Sequence, residues 1–404
     1  MTTDRLPAVT LRRAAQADIA GLAAFNAQVH GAGIGVLAER LCAAPHCTPS
    51  DFWVACDPRG SIVSSLVLMP GVLEIGTTPV PYAEVGLVGT AERWRGLGVC
   101  SALIRKAHAD LCARGIPLAM LLGIRDYYAR FGYVYTVPAG LYATLALDAA
   151  GTASPPYHLR PAGLGDVAQL TAWYRDLAGR RDVRGARRDE AATRYLLAGL
   201  GGSATASSFY LLSDAAGPVG YVRVADESED GGLYINEASD LSPAAAHALL
   251  GLLAELARRR GRPHLRFNLA ADHPLRTVAL ELGASPTSTY AWQVALLQPR
   301  ALLHTLRAEF TRRLDGWPVD LELNLCGEGV CLRGGPTVTI GAAGQTAPTA
   351  TATAAAGHLA QLCLGSHTFA DLAAAGADVD ADDKGREALA LLFPRLIGWI
   401  DPLY

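Results

Sequence analysis

The sequence predicts an α+β protein built from three successive units. Three observations carry that prediction. Runs rich in Val, Ile and Leu alternate with runs whose apolar residues recur at helical spacing. The opening pattern restarts after residue 157, and the pattern changes again near residue 298. A chain of 404 residues is long enough for two to three domains at about 150 residues each. With 50% apolar and only 18% charged residues it can bury real cores.

The first unit, residues 1–150, opens with LRRAAQADIAGLAAFNAQV, a short strand followed by a helix. FWVACD and SIVSSLVLMPGVLEIG read as strands parted by the turn DPRG, and PYAEVGLVGT as another strand. In CSALIRKAHADLCARG, Ala102, Leu103, Ala107 and Leu111 share a helical face, and Gly115 ends the helix. PLAMLLG is a buried strand, and GTASPPYH reads as a linker. The second unit, residues 157–297, begins YHLRPAGLGDVAQLTAWYRDL, which echoes the first opening: strand, arginine, a loop ending in Asp, helix. SSFYLLSD, PVGYVRVADE and LYINEASDL follow as strands and PAAAHALLGLLAELARRRG as a helix. The echo is either a diverged second copy of the first unit or a chance likeness of two strand–loop–helix pieces. In the third unit, residues 298–404, RALLHTLRAEF is one helix, VDLELNLCGEGVCLRGGPTVTIG a run of strands, and GHLAQLCLGSH, FADLAAAG and KGREALALLF are helices. QTAPTATATAAAG is a low-complexity strand or loop, and the apolar end WIDPLY is expected to be tied down.

Charge narrows the function. Lys plus Arg is 35 and Asp plus Glu is 38, a net of −3, which argues against a nucleic-acid partner or a polybasic membrane-surface protein. No apolar run approaches the roughly 18 residues of a membrane span. The first residues carry Asp4, Arg5, Arg12 and Arg13 where a secretion signal needs an unbroken apolar stretch, so a cytoplasmic location is expected. The eight cysteines are scattered, with no CxxC pair; reduced, mostly buried thiols and no metal site are expected.

The most informative stretch is GLVGTAERWRGLGVCSALI, residues 86–104. A strand runs into Arg93-Trp94-Arg95-Gly96-Leu97-Gly98-Val99 and a helix follows at once. The glycines let the backbone turn tightly, and the helix start leaves unpaired N–H groups and a positive dipole end facing the turn. That is a seat for pyrophosphate. It lacks the Gly-Lys of a Walker loop and the third glycine of a dinucleotide fold.

R-x-x-G-x-G on a strand-to-helix turn resembles the coenzyme A motif of the GCN5-related N-acetyltransferase (GNAT) superfamily. Asp126-Tyr127-Tyr128-Ala129-Arg130-Phe131-Gly132-Tyr133 resembles that superfamily's Y-x-x-x-G-[FY] signature, whose tyrosine lies near the thioester sulfur. Tyr128 matches it, as a general acid for the departing thiolate or, alternatively, as a core tyrosine. The resemblance further implies that Gly86, Leu87 and Val88 line the pantetheine arm, with the Val88 N–H polarising the thioester carbonyl. It places the diphosphate on Arg93 through Val99 and adds Gly123 and Ile124 to the cosubstrate contacts. Cys100 reads as structural.

Over its full length the chain resembles the Eis ("enhanced intracellular survival") acetyltransferase family: tandem GNAT folds, the second degenerate, then a sterol-carrier-protein-like α/β domain. RWRGLGV, YYARFGY and LCLGSHTFADLAAAG carry the likeness. The resemblance implies an acetyl-CoA cosubstrate, a small-molecule amine acceptor of aminoglycoside or related type, a homo-hexamer, and the carboxylate at Tyr404 as catalytic base. Glu84, four residues before Val88, is the rival base, or else a solvent-facing strand residue. Asp401, Glu84 and Glu39 could serve a polycation; a less cationic amine is the other option. Another acyl-CoA, a protein lysine, or a non-catalytic acyl-CoA- or lipid-binding role remain as alternatives. The second unit has SPAAAHALL where a phosphate turn would follow LYINEASDL, and reads as scaffold.

Overall fold

Strand–helix alternation is what the chain adopts in the computed structural model, which describes residues 8–152, 155–185, 188–228, 230–325, 329–343 and 347–402. The first part comprises β1 (Thr10–Arg13), α1 (Ile19–His30), α2 (Ala32–Leu41), β2 (Phe52–Cys56), β3 (Ile62–Ile75), β4 (Thr78–Thr90), α3 (Val99–Ala113), β5 (Leu118–Leu121) and β6 (Tyr133–Ala146). The next comprises β7 (His158–Pro161), α4 (Val167–Ala178), β8 (Val183–Arg184), α5 (Glu190–Ala198), β9 (Ser207–Asp214), β10 (Gly217–Ala225), β11 (Leu233–Ala238), α6 (Pro243–Arg259), β12 (His264–Asn268), α7 (Pro274–Glu281) and β13 (Ser285–Leu296).

One sheet crosses both parts, in the order β1-β2-β3-β4-β5-β13-β6-β12-β11-β10-β9-β7. The stretch read as a linker is therefore no boundary in the sheet. β13 leaves the second segment, inserts between β5 and β6, and is antiparallel to both. The two halves otherwise repeat each other. In each, a strand–helix–strand crossover ends in a parallel pair, β4 with β5 and β11 with β12. The sequence echo has a matching geometry. Arg12 donates both arms of its guanidinium to Asp18 at 2.7 and 2.8 Å, and Arg160 does the same to Asp166 at 2.8 and 2.7 Å. Each aspartate also accepts the backbone N–H three residues earlier, from Ala15 and Gly163.

The last part has α8 (Pro299–Thr305), α9 (Arg307–Leu314), β14 (Asp320–Asn324), β15 (Gly329–Arg333), β16 (Thr339–Ala342), β17 (Ala350–Ala354), α10 (Ala356–Cys363), α11 (Phe369–Ala374), β18 (Val379–Ala381), α12 (Asp383–Leu392) and β19 (Gly398–Trp399). RALLHTLRAEF, read as one helix, is broken at Leu306 into α8 and α9. All of these strands but β19 form a second sheet, β16-β15-β14-β17-β18, so part of the low-complexity stretch is an interior strand. Leu321, Leu323, Leu359 and Phe393 of this part share a core with Tyr82 and Trp292 of the large sheet. The tail is held as its apolar character suggested. Ile400 is buried, its carbonyl accepts the indole N–H of Trp292 at 2.9 Å, and β19 pairs with β8. Among the described residues no helix is long and apolar enough to cross a membrane, and no three metal-ligating side chains gather.

Candidate active site

β4 runs beside β5 only for Tyr82 to Glu84, which face Leu118 to Met120; β4 then continues to Thr90 while β5 stops at Leu121. A V-shaped opening results between two parallel strands. On its other side β4 carries a bulge against β3: Val67 faces Gly86 and Ser65 faces Gly89, so Leu87 and Val88 together oppose Leu66. Leu87 takes φ +49°, a left-handed conformation that costs a non-glycine residue about 1–2 kcal/mol. Strain of that kind persists where the surroundings demand it, and it sits here in the stretch assigned to the pantetheine arm. Across the bulge Leu87 packs on the cluster of Leu37, Leu41 and Met69, and Val88 on that of Leu103, Leu121 and Tyr128. Glu84 is buried, at 2% exposure, so the solvent-facing alternative is excluded. Ala83 and Val85 pack with Leu103 and Ile104 of α3, and strand alternation sends Glu84 to the opposite face with Tyr82.

Beyond β4, Arg93 and Trp94 lie in a short 3-10 turn and Arg95 through Gly98 form the loop into α3. Gly96 and Gly98 have φ +76° and +77°, left-handed values that glycine takes without penalty. Gly98 caps α3 with no side-chain hydrogen bond, and the first turn holds no acidic residue, so the helix-start amides are left to solvent or an anion. Arg93, Arg95, Gly96 and Leu97 are exposed, and Val99 is the buried first residue of the helix. Arg93 also approaches Asp57 at 3.8 Å, and the Arg95 Nε donates to the Thr90 carbonyl at 3.2 Å. The Trp94 ring, expected among the cosubstrate contacts, packs on the cluster of Ala55, Val63 and Val99.

Tyr128 joins Leu121, Cys100 and Val88 in a single apolar cluster, which brings the aromatic motif to the mouth of the V and the start of α3. Its ring stands edge-on to Tyr127 and Tyr133, with centroids at 4.9 and 5.8 Å. Burial, then the Cys100 thiol, raises its phenol well above the ordinary value, so it is protonated at neutral pH. The Tyr127 hydroxyl donates to the Cys100 sulfur at 3.6 Å, leaving that thiol engaged in packing. Gly123 lies against the Tyr128 ring, and Ile124 is 71% exposed.

Residues 12–136 match the family described as acetyltransferase (GNAT) domain. They form a GNAT domain. The protein is accordingly an acyltransferase. No curated protein matches the chain. Among solved structures, a GCN5-related N-acetyltransferase from Anabaena variabilis is 18% identical, covers 97% of this chain and 99% of its own, and superposes with a TM-score of 0.74. A probable N-acyltransferase from Enterococcus faecalis is 14% identical over 98% of this chain and 100% of its own, at 0.75. Eis1 from Mycobacterium abscessus is 18% identical over 96% and 97%, at 0.63. At such identities these likenesses speak for the fold.

The GNAT domain does not build its site alone. From β13, the Gln293 amide donates to the Gly123 carbonyl at 3.1 Å and the Tyr290 hydroxyl donates to the same oxygen, fixing the loop below Tyr128. Neither residue was singled out in the sequence, because each lies about 170 positions away in a strand without a motif. His30 of α1 sits against Gly89, and burial followed by the Arg95 charge lowers its pKa. On the face that carries Glu84, a cavity of about 460 Å³ lies between α2, β3, α5 and the tail. A second, of about 570 Å³, runs from Leu122 across the second half of the sheet. Asp401 and Pro402 line both. Burial and the nearby Glu237 raise the Asp401 carboxyl above its ordinary value. Glu39 is exposed on α2, and Tyr404 lies outside the described residues.

Proposed function

We propose that the protein is an acetyl-CoA-dependent N-acetyltransferase that acylates a primary amine of a small molecule by direct attack. The observation that carries this reading is the convergence, at one end of a V between parallel strands, of the β4 bulge, the glycine turn into α3 and the buried Tyr128. In this reading the α3 amides and Arg93 to Val99 hold the diphosphate, and Gly86 to Val88 guide the pantetheine arm. The Val88 N–H then polarises the thioester carbonyl where charge develops. A neutral amine attacks that carbon; its proton leaves through water toward Glu84, and the C–S bond breaks. Tyr128, kept protonated by its burial, gives the departing sulfur its proton. The Tyr404 carboxylate, outside the described residues, stands beside Glu84 as the other proposed base.

We further propose that residues 157–297 are a diverged second GNAT fold, and that residues 298–404 form a sterol-carrier-like unit. The repeated Arg–Asp fork and the repeated parallel crossover support the first. That copy has a different helix start. The Ser242 side chain caps α6 by accepting the Ala245 N–H at 3.2 Å, and Pro243 has no N–H to offer. A diphosphate finds no donor set there.

Thiol release from acetyl-CoA over a panel of amines tests the reading. Tyr128→Phe is expected to lower kcat about 10²-fold or more while calorimetric CoA affinity stays within about twofold. An unchanged kcat would remove Tyr128 from the chemistry.

A further inference from the structure

We infer that the acceptor amine carries a carboxylate remote from its reacting nitrogen, and that the Arg223 guanidinium holds that carboxylate. The inference rests on the N-acetyltransferase reading above and names the substrate class of the same site. Arg223 lies on β10 and is only 5% exposed. Its Nε donates to the Ser207 hydroxyl at 2.7 Å, and its guanidinium lies 5.6 Å from the centre of the Phe209 ring. Among the described residues its two Nη groups find no hydrogen-bond acceptor. Glu237 comes nearest, with Oε2 at 3.9 Å from Nη1, an ion pair too long for a hydrogen bond.

The acids nearby are already engaged. Arg188 grips both oxygens of Glu237 at 2.6 and 2.8 Å, and the Tyr221 hydroxyl donates to Oε1 at 2.5 Å. Asp401 feels the guanidiniums of Arg188 and Arg223, but burial and Glu237 favour its neutral form, and it accepts from Tyr174 and Trp399 at 3.1 and 3.0 Å. Two buried guanidiniums, Arg188 and Arg223, then face the single charge of Glu237. A buried charge without a full partner is costly, so a ligand that brings the partner gains most. A monoanion balances the cluster, whereas a phosphate dianion leaves a second negative charge beside Glu237. Among monoanions a carboxylate offers two coplanar oxygens to the free guanidinium edge.

Position ties Arg223 to the chemistry. It lines the cavity of about 570 Å³ whose wall also includes Leu122, the neighbour of Gly123 beneath Tyr128. Arg266, the other guanidinium on that wall, is paired with Asp230 at 3.1 Å. The Asn236 amide oxygen on the same wall is buried with no hydrogen-bond partner among the described residues, and it takes an N–H or O–H group of the ligand. An acceptor whose carboxylate rests on Arg223 therefore extends toward Leu122 and the thioester. Its amine is not the group that anchors it, so it is free to lose its proton and attack.

The test compares 4-aminobutanoate, 6-aminohexanoate and 8-aminooctanoate with propylamine, pentylamine and heptylamine, which lack only the carboxylate, as acceptors for the full-length enzyme at saturating acetyl-CoA. The best acid is expected to have a kcat/KM at least about tenfold above its matched alkylamine, the scale of a charge-assisted hydrogen bond. In Arg223→Gln that ratio is expected to fall about tenfold, through the KM for the acid. Equal turnover of every acid and its alkylamine overturns the carboxylate, and a ratio that survives in Arg223→Gln overturns the anchor. Thermal melting gives a readout free of turnover: the N-acetylated acids stabilise the wild type more than the N-acetylated alkylamines do, and Arg223→Gln loses the difference. If no amine releases thiol, the N-acetyltransferase reading falls, and the melting comparison still decides whether Arg223 holds a carboxylate. Should Arg223→Gln fail to fold, wild-type melting with no difference between the acids and the alkylamines overturns the inference by itself.

Discussion

Replacing Gly123 with alanine puts a methyl carbon 3.0 Å from Cδ2 of Tyr128, nearer still to Cε2, and 2.9 Å from Cδ1 of Leu121. Carbon atoms prefer about 3.5–4.0 Å, so the ring has to give by about half an ångström or more. It has little room to do so. Tyr127, Phe131 and Tyr133 surround it with centroids at 4.9, 6.5 and 5.8 Å, and Leu121 is itself buried. Overpacking of this kind costs about 1–3 kcal/mol of stability. The larger effect is expected on the reaction, since displacing a reacting group by about 1 Å can cost about 10²-fold in rate. Gly123→Ala should therefore melt only a few degrees lower yet lose kcat about as severely as Tyr128→Phe. CoA affinity should fall less than kcat, because the glycine turn at α3 is untouched although Gly123 is itself an expected cosubstrate contact. Stopped thiol release, calorimetry with CoA and a thermal melt read the three quantities separately. A variant with wild-type kcat would mean that the position of the Tyr128 ring does not matter, and the acid assignment would fail with it.

Two further outcomes follow from the same geometry. Gly96→Ala meets no atom within 4 Å but forces alanine into φ +76°, a strain of about 1–2 kcal/mol that reshapes the turn proposed to hold the diphosphate; the KM for acetyl-CoA should rise about tenfold with kcat at saturation little changed, as steady-state kinetics would show. His108, hydrogen-bonded to the Tyr133 hydroxyl at 2.9 Å, is lowered by burial to about 4. Between pH 6.5 and 4 the unfolded chain thus takes up a proton that the native state refuses, and stability falls as pH falls through that window. His108→Gln, which cannot be protonated, should flatten the melting temperature over the same range, and an unchanged pH slope would contradict the assignment.

Most of what local chemistry controls was legible in the residues. The helix over Val99–Ala113 and the glycine turn before it follow from spacing and φ preference within a few positions, whereas the pairing of Arg12 with Asp18 appears only in the structure. The echo itself was legible in the residues; its matching pair, Arg160 with Asp166, was not. The break at Leu306 was not, because the RALLHTLRAEF pattern alone supports a continuous helix and packing against the neighbouring core divides it.

The residues near one another in sequence set the glycine turn and the helix-end amides where we propose that a diphosphate docks, because glycine φ values and helix ends are properties of short segments; the role of Tyr128 came from the family resemblance. Tertiary structure alone decided that β13 inserts between β5 and β6, that Tyr290 and Gln293 hold the loop under Tyr128, and that Glu84 is buried. It also carried Asp401 from the far end of the chain to Tyr174 and a cavity wall. Partners separated by more than 150 residues meet only when whole sheets pair and pack, and no local pattern encodes which edge will receive which strand.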